Sequence, residues 1–315
     1  MTSSGIDSQL GIVAESTFGT YVEPTRFYEI TDESFKFDQS RVESKGIRTG
    51  RSLKHRWGLG VGRVNGGWNM ELSPQGLGVL MNQMLGVGVI AGANPYTHTY
   101  DGTNDIDGTS FTTQIGRPDI GGTVRAFSYA GCKISDWEIS AAVDEYATLA
   151  LTVYGASEVT SESLATASYP AGLAPFIFTE GQLTVAGGAV CVRDISLSGT
   201  NALATDRHFV CTTGAVPKEP LINGKTEISG SFSADFTDLT QYGRYIAGTE
   251  AALVLTFDAG SSAKLVITMN VRFDGETPNV SGEEILEEPV SFVVTSGTSD
   301  AAAFTAVITN ADAAA

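Results

Sequence analysis

Basic residues, histidine and cysteine are scarce in this chain. Its 315 residues include 19 lysines and arginines, 3 histidines and 3 cysteines, against 36 aspartates and glutamates. The net charge of −17 argues against a protein that reads nucleic acid, because binding to phosphate needs concentrated positive charge. It does not exclude a surface that nucleic acid passes without binding.

The three cysteines are Cys132, Cys191 and Cys211, and their spacing is not that of a metal site. Their odd number, on strand-like segments, predicts small buried thiols in a reducing compartment. Long hydrophobic runs are also missing. The most apolar stretch, residues 76–93, contains polar residues and many glycines, so it predicts a core helix and a strand and no membrane span. The first residues have no basic or apolar segment typical of a secretory signal, so none is expected. A membrane is not among the expected partners.

No arrangement of residues predicts catalysis, a metal or a cofactor. His55, His98 and His208 lie outside any nucleophile or zinc motif, and surface or core positions are expected for them. Residues 101–109 lack the ligand spacing of an EF-hand. The acidic segment 282–288 could hold the paired carboxylates of a hydrolase, but a solvated turn is the simpler interpretation. We therefore predict that the protein is not an enzyme.

A strand followed directly by a helix is the unit around which the chain is organised. Apolar residues alternate from Val64 to Leu72 and predict a strand with one apolar face. Apolar residues then recur three and four positions apart and predict an amphipathic helix over residues 74–85, which ends at Gly86.

A similar unit occurs in the second half of the chain. Residues 227–236 alternate like a strand, and residues 239–247 predict the helix that follows. Gly230 leaves a gap in the apolar face of this strand, which indicates a bulge or a close approach of another backbone segment.

The two units predict an internal duplication, because equivalent residues are separated by nearly equal distances along the chain. Leu72 corresponds to Phe236, and matching Ile30 with Ile195 gives almost the same separation. The predicted fold is therefore mainly β, with two tandem domains. The expected division is an N-terminal arm at 1–25, domain 1 at 26–157 with an insertion at about 87–122, a linker at 158–174, domain 2 at 175–310 and a tail at 311–315.

A long basic loop is expected between two strands of domain 1, over residues 38–62. Nine of the 19 basic residues lie between Arg26 and Arg63. Those within the loop are Arg41, Lys45, Arg48, Arg51, Lys54 and Arg56. Loops of this length in compact domains are functional or disordered. On an acidic protein the favoured partner is the acidic surface of another copy, with nucleic-acid binding and plain disorder as the open alternatives.

This order of elements resembles the tail tube proteins, or major tail proteins, of long-tailed phages and prophages. The resemblance is carried by GIDSQLGIVAESTFGT at 5–20, YEITDESFKF at 28–37, RTGR at 48–51, GGWNMELSPQGLGVLMNQMLG at 66–86 and EEPVSFVVTSG at 287–297. It implies that each domain is a tail-tube-type β-sandwich with one flanking α-helix. It also implies that neighbouring domains join strands edge to edge around a ring with a continuous inner β-barrel. The basic loop would reach the adjacent ring, with a lesser counterpart in the loop near residues 202–221.

The function implied by the resemblance is that of a structural subunit in the virion tail, assembled in the host cytoplasm. Stacked rings would form the conduit through which DNA passes during ejection into the host. The implied partners are further copies of the chain, the tape-measure, tail terminator and distal tail proteins, and DNA that passes without specific binding. The alternatives are another tube- or capsid-forming protein, such as an injection-needle tube or a decoration protein, and a β-rich adhesin or binding module.

Alternation within the strands selects candidate residues for the lining of the bore. Residues 133–140 have no face that is more than half apolar, as expected for a strand with one wet face. The candidates are Asp136, Glu138, Glu227 and Asp235, and a bore lined by carboxylates repels phosphate. Since the resemblance implies rings of six tube domains, three chains with two domains each would complete one ring. The competing arrangement has one tube domain and one outer domain in each of six chains.

Overall fold

The computed structural model describes residues 4–103, 105–170, 172–209, 217–275 and 285–313, together with residues 277, 280 and 283. Over these residues the chain is mainly β, with 50% strand and 9% helix, which confirms the predicted fold class at this level. The acidic segment 282–288, the loop 202–221, the linker 158–174 and the tail 311–315 lie partly outside the described residues, and Cys211 lies wholly outside them.

The described residues form nineteen strands, three α-helices and two short 3-10 helices, Gly5–Asp7 and Phe178–Glu180. The strands are β1 Gln9–Ala14, β2 Arg26–Tyr28, β3 Asp32–Glu33, β4 Lys36–Glu43, β5 Trp57–Glu71, β6 Val89–Gly92, β7 Tyr96–Asp101, β8 Phe111–Pro118, β9 Val124–Ala142, β10 Thr148–Gly155, β11 Ser157–Val159, β12 Gly181–Val185, β13 Gly188–Val190, β14 Val192–Thr200, β15 Glu227–Asp235, β16 Ala251–Asp258, β17 Lys264–Gly275, β18 Glu287–Val294 and β19 Phe304–Asn310. The α-helices are α1 Leu77–Leu85, α2 Thr240–Ala247 and α3 Asp300–Ala303.

The first half of the chain builds a two-layered β-sandwich from antiparallel strands. One layer has the order β3/β4–β5–β10–β9, and the other has the order β2–β1–β8–β9–β11. The long strand β9 takes part in both layers. Aromatic side chains join them, since the ring centroids of Trp68 and Phe111 lie 6.3 Å apart and those of Phe35 and Tyr129 lie 5.2 Å apart.

The second half repeats these pairings in the same chain order. Its layers are β14–β15–β18–β17 and β13–β12–β16–β17–β19, and β17 passes between them as β9 does. Among the described strands only β6 and β7 have no counterpart, and they extend the second sandwich by pairing along β19. The alternation in the sequence thus encodes one pairing pattern twice.

Strands β9 and β14 join the two halves edge to edge. Their register runs from Asp136 opposite Thr200 to Ala142 opposite Asp194. One continuous antiparallel sheet results, with the order β3/β4–β5–β10–β9–β14–β15–β18–β17. Among the described strands no pairing closes this sheet into a barrel.

The registers correct the sequence match between the two halves. Glu33 lies opposite Trp68, and Ile195 lies opposite Phe232. Because Trp68 and Phe232 are equivalent, the residue that corresponds to Ile195 is Glu33 and not Ile30. Ile30 precedes β3, so its apolar character does not report the position of that strand.

The expected N-terminal arm is part of the first sandwich. Leu10 and Ile12 in β1 are fully buried, and β1 pairs with both β2 and β8. The buried carboxylate of Glu15 accepts hydrogen bonds from the hydroxyls of Ser110 and Thr112, at 2.8 Å each. The scattered apolar residues of this segment concealed the strand, because only six residues are paired.

Two further connections are more ordered than the sequence predicted. The region 87–122, expected to be loop-like, contains β6, β7 and β8, and β8 is a central strand of the first sandwich. The segment 158–174, expected to be a polar linker, begins in β11, and the backbone N–H of its buried residue Ala165 donates to the Gln114 side chain at 2.7 Å.

A β-bulge changes which residues of β9 face the core. The register between β9 and β10 shifts between Ile134 and Asp136. Simple alternation places Ile134 on the same face as Asp136, but Ile134 is fully buried with Trp137 and Ile139, while Asp136 is exposed.

Gly230 marks a close backbone approach, as its position in β15 predicted. A Cβ atom at this position would collide with the carbonyl oxygen of Ser196 and the ring of Phe292. We expect Gly230→Ala to lower the free energy of unfolding by about 1–3 kcal/mol, because the site cannot expand. The matched control is Gly243→Ala in α2, where a Cβ meets nothing within 4 Å and helix propensity improves by up to about 1 kcal/mol. Denaturant unfolding of both variants measures the contrast, and equal effects would contradict it.

Candidate functional site

The predicted basic loop is a projecting two-stranded ribbon. β4 and β5 stay paired as far as Glu43 and Trp57, whereas β10 accompanies β5 only to Val64. We call residues 39–62 the basic ribbon. The seven residues of β5 beyond β10 correspond to a projection of about 20 Å. The loop at its end, residues 44–56, is exposed throughout.

All the basic residues predicted for this region lie on the basic ribbon and are exposed, Arg41 in β4 and the others in the loop. The Arg41 guanidinium lies 5.8 Å from the centre of the Trp57 ring, and Lys54 forms an ion pair with Glu43. Ile47 and Leu53 are 102% and 84% exposed. Exposed aliphatic side chains among cations are typical of a docking surface.

A second candidate surface is the solvent-facing side of the continuous sheet. Asp136, Glu138 and Glu227, three of the four predicted bore residues, line one depression of about 500 Å³ on this side. Asp32 lines it as well, although it was not among the residues predicted from the sequence. Serine and threonine side chains of β10, β14 and β15 lie between the carboxylates, and no lysine or arginine lines the depression among the described residues. Asp32, Ser34 and Lys36 are polar residues at alternate positions, and all three are exposed. This alternation was the signal in the sequence that could have identified Asp32.

The fourth candidate, Asp235, lies apart from this depression. Its carboxylate is 3.0 Å from the guanidinium of Arg193, which also contacts Glu287 at 2.8 Å. Asp235 therefore contributes less negative potential to the surface than the three residues of the depression.

The continuous sheet has two strand edges that no described strand pairs with. One is the edge of β3 and β4 away from β5, and the other is the edge of β17 at residues 272–275, away from β18. In the repeated pattern these edges correspond to the two edges that meet where β14 pairs with β9. Unpaired edges are templates for pairing with another chain.

The two equivalent helices differ in burial. Six residues of α1 are buried, and the side chain of Asn201, just after β14, donates a hydrogen bond to the Met84 carbonyl at 3.0 Å. Helix α1 packs on β9 and β7 and is also contacted by Asn201 of the second half. No residue of α2 is buried, and Ile246 is 66% exposed. Beside α2, burial and the charge of Asp238 raise the pKa of Glu288 above its ordinary 4.5.

The residues considered for catalysis or metal binding are not brought together. Among the described residues no group of three or more histidine, cysteine, aspartate or glutamate side chains could hold a metal ion. His98 is fully buried, and its Nε2 lies 3.0 Å from the side-chain oxygen of Asn310. Cys132 is buried, whereas Cys191 is exposed, so the expectation of buried thiols is wrong for Cys191.

The helices in the described part of the chain are too short or too polar to cross a membrane.

The chain matches a family of known proteins. A family model described as "Phage tail tube protein" matches residues 5–294, which include the first sandwich, the strands of the second sandwich up to β18, the basic ribbon and the acidic depression. No curated protein matches the sequence at a significant level. The family match identifies a structural component of the virion tail that assembles into a tube. The chain belongs to the phage tail tube protein family.

Proposed function

We propose that this chain polymerises into stacked rings that form the conduit for DNA during ejection, and that each chain supplies two tube domains. The observation that carries the proposal is the pairing pattern that occurs twice, with β9 of one copy paired to β14 of the other. The proposed first domain runs from β1 to β11, with β6 and β7 as its insertion, and the second from β12 to β19.

Ring closure follows from the internal contact. The unpaired edge of β17 is equivalent to the edge of β9, and the unpaired edge of β3 and β4 is equivalent to that of β14. If two chains repeat the contact that joins the halves of one chain, β17 pairs with β3 and β4 of the next chain. Three chains then close a ring of six domains with pseudo-sixfold symmetry, and no edge is left unpaired.

The bore is supplied by the solvent-facing side of the continuous sheet. Asp32, Asp136, Glu138 and Glu227 give it a negative potential without basic residues in the depression. DNA phosphates at a few ångströms from these carboxylates are repelled, and at 0.15 M ionic strength the effect fades beyond about 8 Å. DNA therefore passes without being held, and the protein acts as a structural subunit, with no catalytic step and no cofactor.

The basic ribbon reaches from one ring to the next, and the ends of the tube meet the tape-measure, terminator and distal tail proteins. Assembly takes place in the host cytoplasm, where the subunit needs no membrane.

The mass of the isolated ring tests the arrangement. We expect three chains per ring and sixfold features in end-on electron microscopy images of tubes formed by the purified protein. A ring of six chains would refute the two-domain arrangement and favour one tube domain with an outer domain. A protein that stays monomeric at every concentration would refute the tube function itself.

A further inference from the structure

We infer that the basic ribbon of one chain docks on the turn between β9 and β10 of a second copy in the next ring. We call this acceptor the turn platform: residues 143–146 with Ile177 and Glu180. The inference rests on the proposed stacking of rings and adds to it the surface that receives the ribbon.

Strand direction places the basic ribbon and the turn platform at opposite ends of the sheet. The strands of the continuous sheet alternate in direction, so the C-terminal end of β4 and the N-terminal end of β10 lie at opposite ends. The Val64–Gly155 pair marks the end of the sheet from which the ribbon projects, and the Glu71–Thr148 pair marks the end next to the turn platform. The eight residues of β10 span the distance between these two pairs, which is about 25 Å. The ribbon adds its own length to this separation.

This separation makes the contact intermolecular. A ribbon that projects away from the platform of its own chain can reach only the platform of another. A contact between different surfaces of identical chains, with both chains in the same orientation, does not close on two copies and generates an open stack. Stacked rings need an axial contact of this kind.

The turn platform has the opposite charge to the basic ribbon. It presents Asp144, Glu145 and Glu180, and no described basic side chain forms an ion pair with Asp144 or Glu145. The ribbon carries Arg48 and Arg51 at the tip of its loop. Opposite potentials on facing surfaces steer association and fix its register.

Both surfaces also expose apolar side chains. Val143, Tyr146 and Ile177 of the platform are 52%, 47% and 39% exposed. On the ribbon, Ile47 and Leu53 are almost fully exposed. Apolar groups surrounded by charged ones have the composition of a protein interface, with a core and a polar rim. A DNA partner would not explain the aliphatic side chains on the ribbon.

The platform is held rigidly enough to serve as an acceptor. The backbone N–H of Val143 donates to the carbonyl of Arg193 at 3.2 Å, and that of Ala147 donates to Phe176 at 2.8 Å. Tyr146 and Ile177 form a β-bridge, and the Glu180 side chain accepts from the Ile177 N–H at 3.1 Å. Little order therefore remains to be imposed on the platform when the ribbon binds, which favours docking.

A charge exchange between the two surfaces tests the inference. We expect Asp144→Arg/Glu145→Arg and Arg48→Glu/Arg51→Glu each to form rings but to reduce tube length at least tenfold in negative-stain images. The chain that carries all four substitutions should recover tubes, because the attraction is restored with its signs exchanged. Glu23→Arg/Glu162→Arg changes two exposed acidic residues outside both surfaces and is the matched control, with tubes of normal length expected.

The outcomes separate the inference from the proposed function. Normal tubes from Asp144→Arg/Glu145→Arg overturn the inference and leave the tube function standing. Failure of the unmodified protein to form tubes under any condition refutes the tube function. Thermal melting followed by circular dichroism identifies a variant that does not fold.

A cross-linking experiment tests the same contact without reversing any charge. We expect Arg51→Cys/Glu145→Cys, in a Cys191→Ser/Cys211→Ser background, to give a ladder of covalent chains longer than one ring after mild oxidation. Complete absence of such species in assembled tubes would overturn the inference.

Discussion

Chains with cysteine at positions 38 and 274 should be joined by a short bis-maleimide into covalently closed trimers once rings have formed. The prediction uses the contact between β9 and β14 as the template for the contact between chains. Asp136 lies opposite Thr200 in that contact. In the repeated pattern Asp274 is equivalent to Asp136. Asp136 lies opposite Thr152 in β10, and Asp274 lies opposite Ser291 at the equivalent position of β18.

The partner position follows in the same way. Thr200 lies opposite Glu227, and Asp38 lies opposite Arg63. Glu227 and Arg63 are equivalent positions of β15 and β5, so Asp38 corresponds to Thr200. Asp274 of one chain should therefore face Asp38 of the next. Lys36, whose ammonium lies 3.4 Å from the Asp38 carboxylate, offsets the like charges that meet there.

The experiment is Asp38→Cys/Asp274→Cys in a background without Cys191 and Cys211. Complete linkage should give one closed species of three chains, and each single-cysteine variant should stay unlinked. Asp136→Cys/Thr200→Cys is the positive control, because its two thiols lie opposite each other within one chain. A closed species of six chains would refute the trimeric ring, and linkage into open ladders alone would show that the edges pair in another register.

Periodicity predicted much of this fold because the strands that build the continuous sheet are long and have one apolar face. The strand from Val64 to Leu72, the alternation of residues 227–236 and both flanking helices appear in the structure as β5, β15, α1 and α2. Helix α1 begins at Leu77 and not at Pro74, because Gly76 occupies the position before it with a positive φ of 82°.

The errors have two physical origins. Short strands such as β1 give no reliable period, and their identity depends on partners distant in the sequence. A β-bulge adds one residue without a partner, so the alternation reverses at Ser135 and Ile134 enters the core. A sequence pattern carries no signal for either event.

The two candidate surfaces differed in how far the sequence predicted them. The clustering of basic residues identified the basic ribbon, because charge density is a property of the sequence alone. The acidic depression was only partly predicted, since Asp32 and Asp136 come to line the same depression through the register of four strands. Asp235 had the right outward phase, but its ion pair with Arg193 depends on the pairing of β14 with β15.

Lys133 forms a buried ion pair that nothing in the sequence indicated. Its side chain is 1% exposed. The Nζ atom lies 2.7 Å from Oε1 of Glu219 and donates to the carbonyl of Pro220 at 3.0 Å. The partner lies 86 residues further along the chain, so no local pattern could indicate it.

Removal of the partner should destabilise the protein more than removal of the lysine. Glu219→Leu leaves a buried cation with only the Pro220 carbonyl, and we expect a loss of about 3–5 kcal/mol in the free energy of unfolding. It also removes the acceptor of the Gly108 N–H, at 2.8 Å. Lys133→Met should cost less, because the Glu219 side chain is 22% exposed and keeps its bond from Gly108.

The double variant Lys133→Met/Glu219→Leu separates the charge effect from packing. If the loss in Glu219→Leu comes from the unpaired cation, the second substitution should recover most of it, since an apolar pair of similar volume often replaces a buried ion pair without loss. Denaturant unfolding of the four proteins gives the coupling free energy, which should exceed about 1.5 kcal/mol. Additive effects would mean that Lys133 is stabilised without Glu219, and that the segment around Pro220 is held to β9 by other contacts.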